Sequence, residues 1–191
     1  MHILNCAENL MLQHGLDNIS MNALAKEAKI AKGTLYLYFK DKEDVITHLT
    51  IIAREKLLDL FIEEASKQQD TLDKIEAIFW ADFKFYQEYY LYFTLVSNYE
   101  SNQHIVEEGD LFKSSQKIQV FILSILERAR AEKKIKPTID IASLSLTMWG
   151  TCNGMIQLMD TKFQLIKEHT QLDKVAFFRN FVNIIIDGIK Q

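Results

Sequence analysis

The chain has 191 residues and a formal net charge of −4, is 48% hydrophobic and 25% charged, and contains 1 proline and 6 glycines. That balance excludes a disordered chain and leaves too little turn chemistry for a many-stranded fold, so helix is expected throughout. The apolar runs fall short of the roughly 20 residues that cross a bilayer, and MHILNCAEN lacks a basic leader, so a cytoplasmic location without a membrane partner is expected.

Ile3, Leu4, Ala7, Leu10 and Met11 recur at helical spacing and predict a first helix over 2–14, stopped at Gly15. Ser20 is placed to cap a second helix over about 21–28, whose Met21, Leu24, Ala25 and Ala28 form one apolar stripe. After the connector Lys29-Ile30-Ala31, Leu35 and Phe39 form an inward i, i+4 pair, while Thr34, Leu37 and Tyr38 face the other way. Asp41, Glu43 and Asp44 sit at the positive end of a long fourth helix running through Leu49, Ile52, Ala53, Leu57 and Leu60 to about residue 67. Further helices are expected near 71–95, 102–108, 111–133, 140–160 and 173–189, giving an all-α fold of about nine helices.

Two short helices joined by a three-residue connector have the form of a helix-turn-helix, whose second helix enters the DNA major groove. Thr34, Tyr36 and Tyr38 offer hydroxyls to phosphate oxygens, Lys32 reaches base edges or phosphate, and Gly33 lets backbone approach closely. Lys42 adds a cation near the start of the fourth helix, where free N–H groups already favour an anion. Between Asn22 and Lys42 stand five lysines against two acids, so attraction to double-stranded DNA rests on a patch and not on net charge. The same spacing also suits rings that pack against neighbouring helices beside a solvated lysine face.

Residues 4–49, above all ISMNALAKEAKIAKGTLYLYFKDKEDVI, resemble the DNA-binding domain of the TetR (tetracycline-repressor) family of bacterial transcriptional regulators. The resemblance covers about a quarter of the chain and rests on the Gly15 stop, the Ala25/Ala28 helix, KGTLY at 32–36, Phe39 and the K-x-K-E-D entry into the fourth helix. It implies a phosphate contact at Ser20, a recognition helix carrying Lys32, Gly33, Thr34, Tyr36 and Tyr38, and a second phosphate contact at Lys42. Leu35 and Phe39 match its buried positions. Three features depart from the family pattern. Lys29 stands where glycine is frequent and must take positive φ or a different turn. Leu37 replaces a frequent aromatic and suits a thymine methyl instead. The stretch before the first helix is too short for a basic arm.

The resemblance divides the chain at 1–48, the helix-turn-helix domain, and 49–191, a helical ligand-binding and dimerisation domain. In the second part Phe79, Phe83, Tyr86 and Tyr90 share a stripe beside Trp80, Tyr89 and Phe93, which by family analogy is a pocket wall for a small, largely apolar or aromatic effector. Trp149, Cys152, Asn153 and Gln157 are candidates for the few orienting groups of such a pocket. A plain aromatic core has the same pattern, and Asp82 with Glu88 offers an alternative cation site. Met148, Met155 and Met159, with Gly150 and Gly154, and Phe178, Val182 and Ile185 near the C-terminus, give apolar faces for a homodimer. Burial of both faces within one subunit is the alternative.

Cys6 and Cys152 form no CxxC, the histidines show no ligand spacing, and neither nucleotide-binding nor nucleophile motifs occur. No enzyme activity, metal or cofactor is therefore expected. The expected function is that of a ligand-responsive DNA-binding regulator, a repressor that binds a palindromic operator as a homodimer and is released by its effector. The rival is a helical small-molecule-binding protein without sequence-specific DNA binding, motivated by the net −4 charge, Lys29 and the short N-terminus.

Overall fold

A computed structural model of the chain describes residues 2–100 and 108–191. The described residues form nine α-helices, and the short helix expected near 102–108 falls, but for its last residue, outside them. Two compact units divide the chain, one made of residues 1–56 with 89–115 and the other of 57–88 with 116–191.

In the first unit, α1 (His2–His14) buries Cys6, Ala7, Leu10 and Met11 and ends at Gly15, whose φ of 83° terminates the helical path. A single 3-10 turn, Leu16–Asn18, leads to α2 (Met21–Glu27), where the Ser20 hydroxyl accepts the Ala23 N–H at 3.2 Å. The turn after α2 is a Schellman motif: the Lys29 N–H donates to the Lys26 carbonyl and the Ile30 N–H to that of Ala25. Lys29 holds the left-handed corner with φ 55°, so the strained alternative anticipated from the sequence is the one adopted. The next helix, α3 (Lys32–Tyr36), buries Leu35 completely. Two side-chain caps then open α4 (Lys42–Ser66): Asp41 accepts the Asp44 N–H at 2.8 Å, and Asp44 accepts the Lys40 N–H at 2.9 Å.

The expected single helix over 71–95 is two, α5 (Thr71–Glu88) and α6 (Tyr90–Glu100), separated at Tyr89. The division matters because α6 belongs to the first unit: Leu95 is 1% exposed within the same core as Leu10, Leu24, Leu35, Phe39 and Leu49, with Leu91 and Tyr92 packed against it. Tyr92 also bonds to Glu8 on α1, and burial together with that carboxylate pushes its phenol up to about 12. The compact unit that holds the helix-turn-helix reaches Lys56 and takes in α6 and the start of α7 (Gly109–Ala131).

In the second unit α5 packs against α8 (Ile141–Thr170) and α9 (Lys174–Ile189), and α8 packs against α9. Asp140 and Asp173 cap α8 and α9 by accepting the Ser143 and Ala176 N–H groups, each at 2.7 Å. The helix expected over 140–160 runs further: α8 bends at Lys162, where the backbone leaves helical angles, and continues to a left-handed Gln171.

Candidate nucleic-acid interface

A surface that reads DNA needs exposed donors on a rigid support. The support of α3 is its own Leu35, fully buried, and Phe39 just past its end, 7% exposed and set edge-on to the His48 ring at 5.2 Å. The opposite side stands open: Tyr36, Leu37 and Tyr38 are 46%, 84% and 66% exposed, and Lys32 and Gly33 are also exposed. Thr34 is half-buried, and the Lys32 ammonium lies 5.8 Å from the Tyr36 ring centroid. An added Cβ at Gly33 would meet nothing within 4 Å, so the chain's own packing does not require glycine there.

Ser20 is exposed with its hydroxyl already used as a helix cap, and Lys42 is half-buried in the first turn of α4. All eight residues assigned to DNA by the sequence thus lie in the first unit, where exposed Lys26, Lys29 and Lys40 supplement their charge.

The residues assigned to an effector separate. Phe79 and Phe83 are 2% and 3% exposed, Phe83 stacks on Phe178 at 4.6 Å, and Phe79 meets Phe181 edge-on at 5.6 Å. Trp80 joins the group against Phe178 at 5.3 Å, with its indole N–H donated to Glu76. Tyr86 donates its hydroxyl to Asp160 at 2.9 Å and accepts from Lys174 at 2.8 Å. These four form an aromatic seam between α5 and α9. Tyr90 does not join them: it is 52% exposed and lies in the first unit. Trp149 is 50% exposed on α8, and Asn153 is half-buried.

Beside the seam, Asp82 on α5 hydrogen-bonds with Cys152 on α8. Asp82 keeps a partly exposed edge, yet enclosure of its carboxyl pushes the pKa up to about 6, opposed by the thiol bond. Burial and the adjacent carboxyl raise the Cys152 thiol in turn. Cys6 and Cys152 are both buried and outside any disulfide.

Among the residues assigned to a dimer face, Met148, Met159, Phe178 and Val182 are at most 3% exposed. Their own chain covers them, which turns the expected face inward; Met155 and Ile185 are half-buried. The apolar groups left open on these two helices are Leu146, Trp149, Leu158 and Leu165 of α8 and Val175 and Ile184 of α9. Periodicity located the two faces without showing which was the inner one. Among the described residues no group of acids, histidines and cysteines is disposed to hold a metal, and no helix is long and apolar enough to cross a membrane.

Residues 3–49 match the bacterial regulatory proteins of the tetR family. The fatty acid metabolism regulator protein of Bacillus subtilis is 23% identical over 200 aligned positions, covering 99% of this chain and 94% of that protein. An HTH-type transcriptional regulator of Staphylococcus aureus is 44% identical over 64 residues, 34% of this chain and 32% of that one. In fold, the chain is similar to the transcriptional regulator FadR from Bacillus subtilis in complex with stearoyl-CoA, with a TM-score of 0.77, 18% identity, and coverage of 99% of this chain and 98% of that one.

With the open α3 face and its buried support, these likenesses place the chain among DNA-binding transcription regulators, a class without catalysis. Over residues 3–49 the family it matches is TetR.

Proposed function

We propose that the protein is a homodimeric repressor that reads a two-fold-symmetric operator through α3 and leaves it when a long-chain acyl thioester binds the helical unit. The observation that carries the DNA reading is the face of Lys32, Thr34, Tyr36, Leu37 and Tyr38, exposed above the buried Leu35 and Phe39. On it Thr34, Tyr36 and Lys32 hold phosphates or base edges, and Leu37 meets apolar base surface. Ser20, Gly33 and Lys42 complete the backbone contacts.

Dimerisation is supported by the open apolar groups of α8 and α9 around Gly150 and Gly154, where an added Cβ would meet nothing of its own chain. A homodimer presents two recognition helices to successive major grooves, about 34–36 Å apart. The effector class is supported by the Bacillus subtilis relative that aligns along nearly the whole chain and by the aromatic, largely apolar helical unit. Phe79, Trp80, Phe83 and Tyr86, with Trp149 and Asn153 of α8, are the residues proposed to meet the effector.

Selection of bound fragments from random duplex DNA, followed by titration with stearoyl-CoA, tests this reading. A symmetric site bound by a dimer and released by stearoyl-CoA supports it. Failure to enrich any sequence sinks the regulator reading, and release by none of a series of acyl thioesters sinks the effector class.

A further inference from the structure

Arg54 is the one charged side chain among the buried residues described, at 2% exposure. A guanidinium is costly to remove from water, so its surroundings must hold it in definite directions. Its Nη1 donates to the Leu111 carbonyl at 3.3 Å, and its plane lies 5.7 Å from the Tyr99 ring centroid. The Leu111 carbonyl also accepts the Ser114 hydroxyl at 2.6 Å, which fixes the first turn of α7. One cation therefore joins α4, α6 and α7 within the first unit.

The chain passes between its units at three points: after Lys56 in α4, before Tyr89 ahead of α6, and after Ser115 in α7. Arg54 stands two residues from the first pass and Leu111 four residues from the third. Tyr99 lies on α6, whose Leu95 is embedded in the helix-turn-helix core. The property that arginine brings here, and that an apolar side chain of similar volume lacks, is directional bonding.

We infer that Arg54 is a positioning residue that binds α4, α6 and α7 into one piece, so that a shift of any of them in the helical unit is delivered to α3. The inference rests on the ligand-responsive reading above. Reciprocity supplies a test without an effector: if the helical unit biases DNA binding, DNA must bias the helical unit equally.

Hydrogen exchange of α8 and α9 is measured with and without the duplex recovered by selection, for the full chain and for Arg54→Met. The wild type should show DNA-dependent exchange there. Arg54→Met should bind the duplex within about threefold of wild type yet lose that dependence, and the roughly 5–150-fold effect of stearoyl-CoA on DNA affinity should shrink to under about twofold. A merely stabilising arginine would lower thermal stability and leave the DNA-dependent exchange intact. That result overturns the inference, as does a wild type that binds its duplex with no response in α8 and α9. If Arg54→Met does not fold, Tyr99→Leu decides: it keeps the charge, removes the ring, and should weaken the response. Recovery of no duplex would strike the regulator reading, and the inference with it, whereas a duplex bound without response strikes the inference alone.

Discussion

Tyr36 on α3 and Tyr38 just past its end stand open, whereas Phe79 and Phe83 are sealed between α5 and α9. Both pairs are aromatic residues on amphipathic helices, and their exposure separates them by role. In the first unit a short helix and the turn after it, with only Leu35 and Phe39 inward, leave Tyr36, Leu37 and Tyr38 available to a partner. In the second unit aromatic rings meet one another and leave their surroundings dry enough to lift Asp82 toward neutrality. The comparison teaches that density of aromatic residues says little about a site until the inner and outer faces are distinguished.

The largest effect should come from removing the support under the open face. Phe39→Ala takes away a ring that is 7% exposed and in contact with His48, and should cost about 3–5 kcal/mol in urea denaturation. DNA binding would be lost through unfolding, as a shifted unfolding midpoint would show. A loss below about 1 kcal/mol would mean that α3 does not depend on this buried side.

The second unit should answer most clearly to pH. The folded-state pKa of Asp82 lies above its unfolded value, so the native chain holds that proton more tightly and stability falls as pH rises toward about 6. The penalty is full above that value and absent below the ordinary carboxylate range. At about 1.4 kcal/mol per pH unit between the two values, Asp82→Asn should stabilise the protein by roughly 2–3 kcal/mol at pH 8 and by almost nothing near pH 4. Equal effects at both pH values, measured by denaturation, would show that enclosure of the carboxyl is not the cause.

The first unit was legible because its signals are local and few arrangements satisfy them together. Gly15, Ser20, Lys29 and the Asp41/Asp44 pair each mark a helix end through chemistry that acts within a few residues. The role of α6 was not legible. Leu91 and Leu95 are an ordinary i, i+4 pair, and only tertiary packing sends them into the helix-turn-helix core instead of continuing α5. The same gap explains Met148, Met159, Phe178 and Val182: on helices that are apolar on two sides, period alone does not tell a core from an interface. Arg54 gave no signal at all, since an arginine on a long helix ordinarily faces water.

Substitutions on the open face should separate stability from binding. Tyr36→Ala and Thr34→Ala should each weaken operator binding by about 1–2 kcal/mol, roughly 5–30-fold, with unfolding midpoints nearly unchanged. Gly33→Ala sharpens the contrast. The position is helical and open, so alanine should raise helix stability by several tenths to about 1 kcal/mol while its methyl obstructs an approaching DNA backbone. Unaltered DNA affinity in Gly33→Ala, measured by fluorescence anisotropy, would remove this glycine from the interface.

The smallest effect concerns a conformation that the two regions share. Lys29 and Lys133 both occupy the left-handed corner of a Schellman motif, with φ 55° and 58°. A side chain there costs about 1–2 kcal/mol, and glycine removes that strain but adds about 0.4–1 kcal/mol of freedom to the unfolded chain. Lys29→Gly and Lys133→Gly should therefore each stabilise by up to about 1 kcal/mol, and by similar amounts. Only Lys29 stands beside α3. If it also touches a phosphate, Lys29→Gly will flatten the salt dependence of DNA binding by about one unit of slope, while Lys133→Gly leaves it unchanged. Equal slopes for both variants would assign Lys29 to the turn alone.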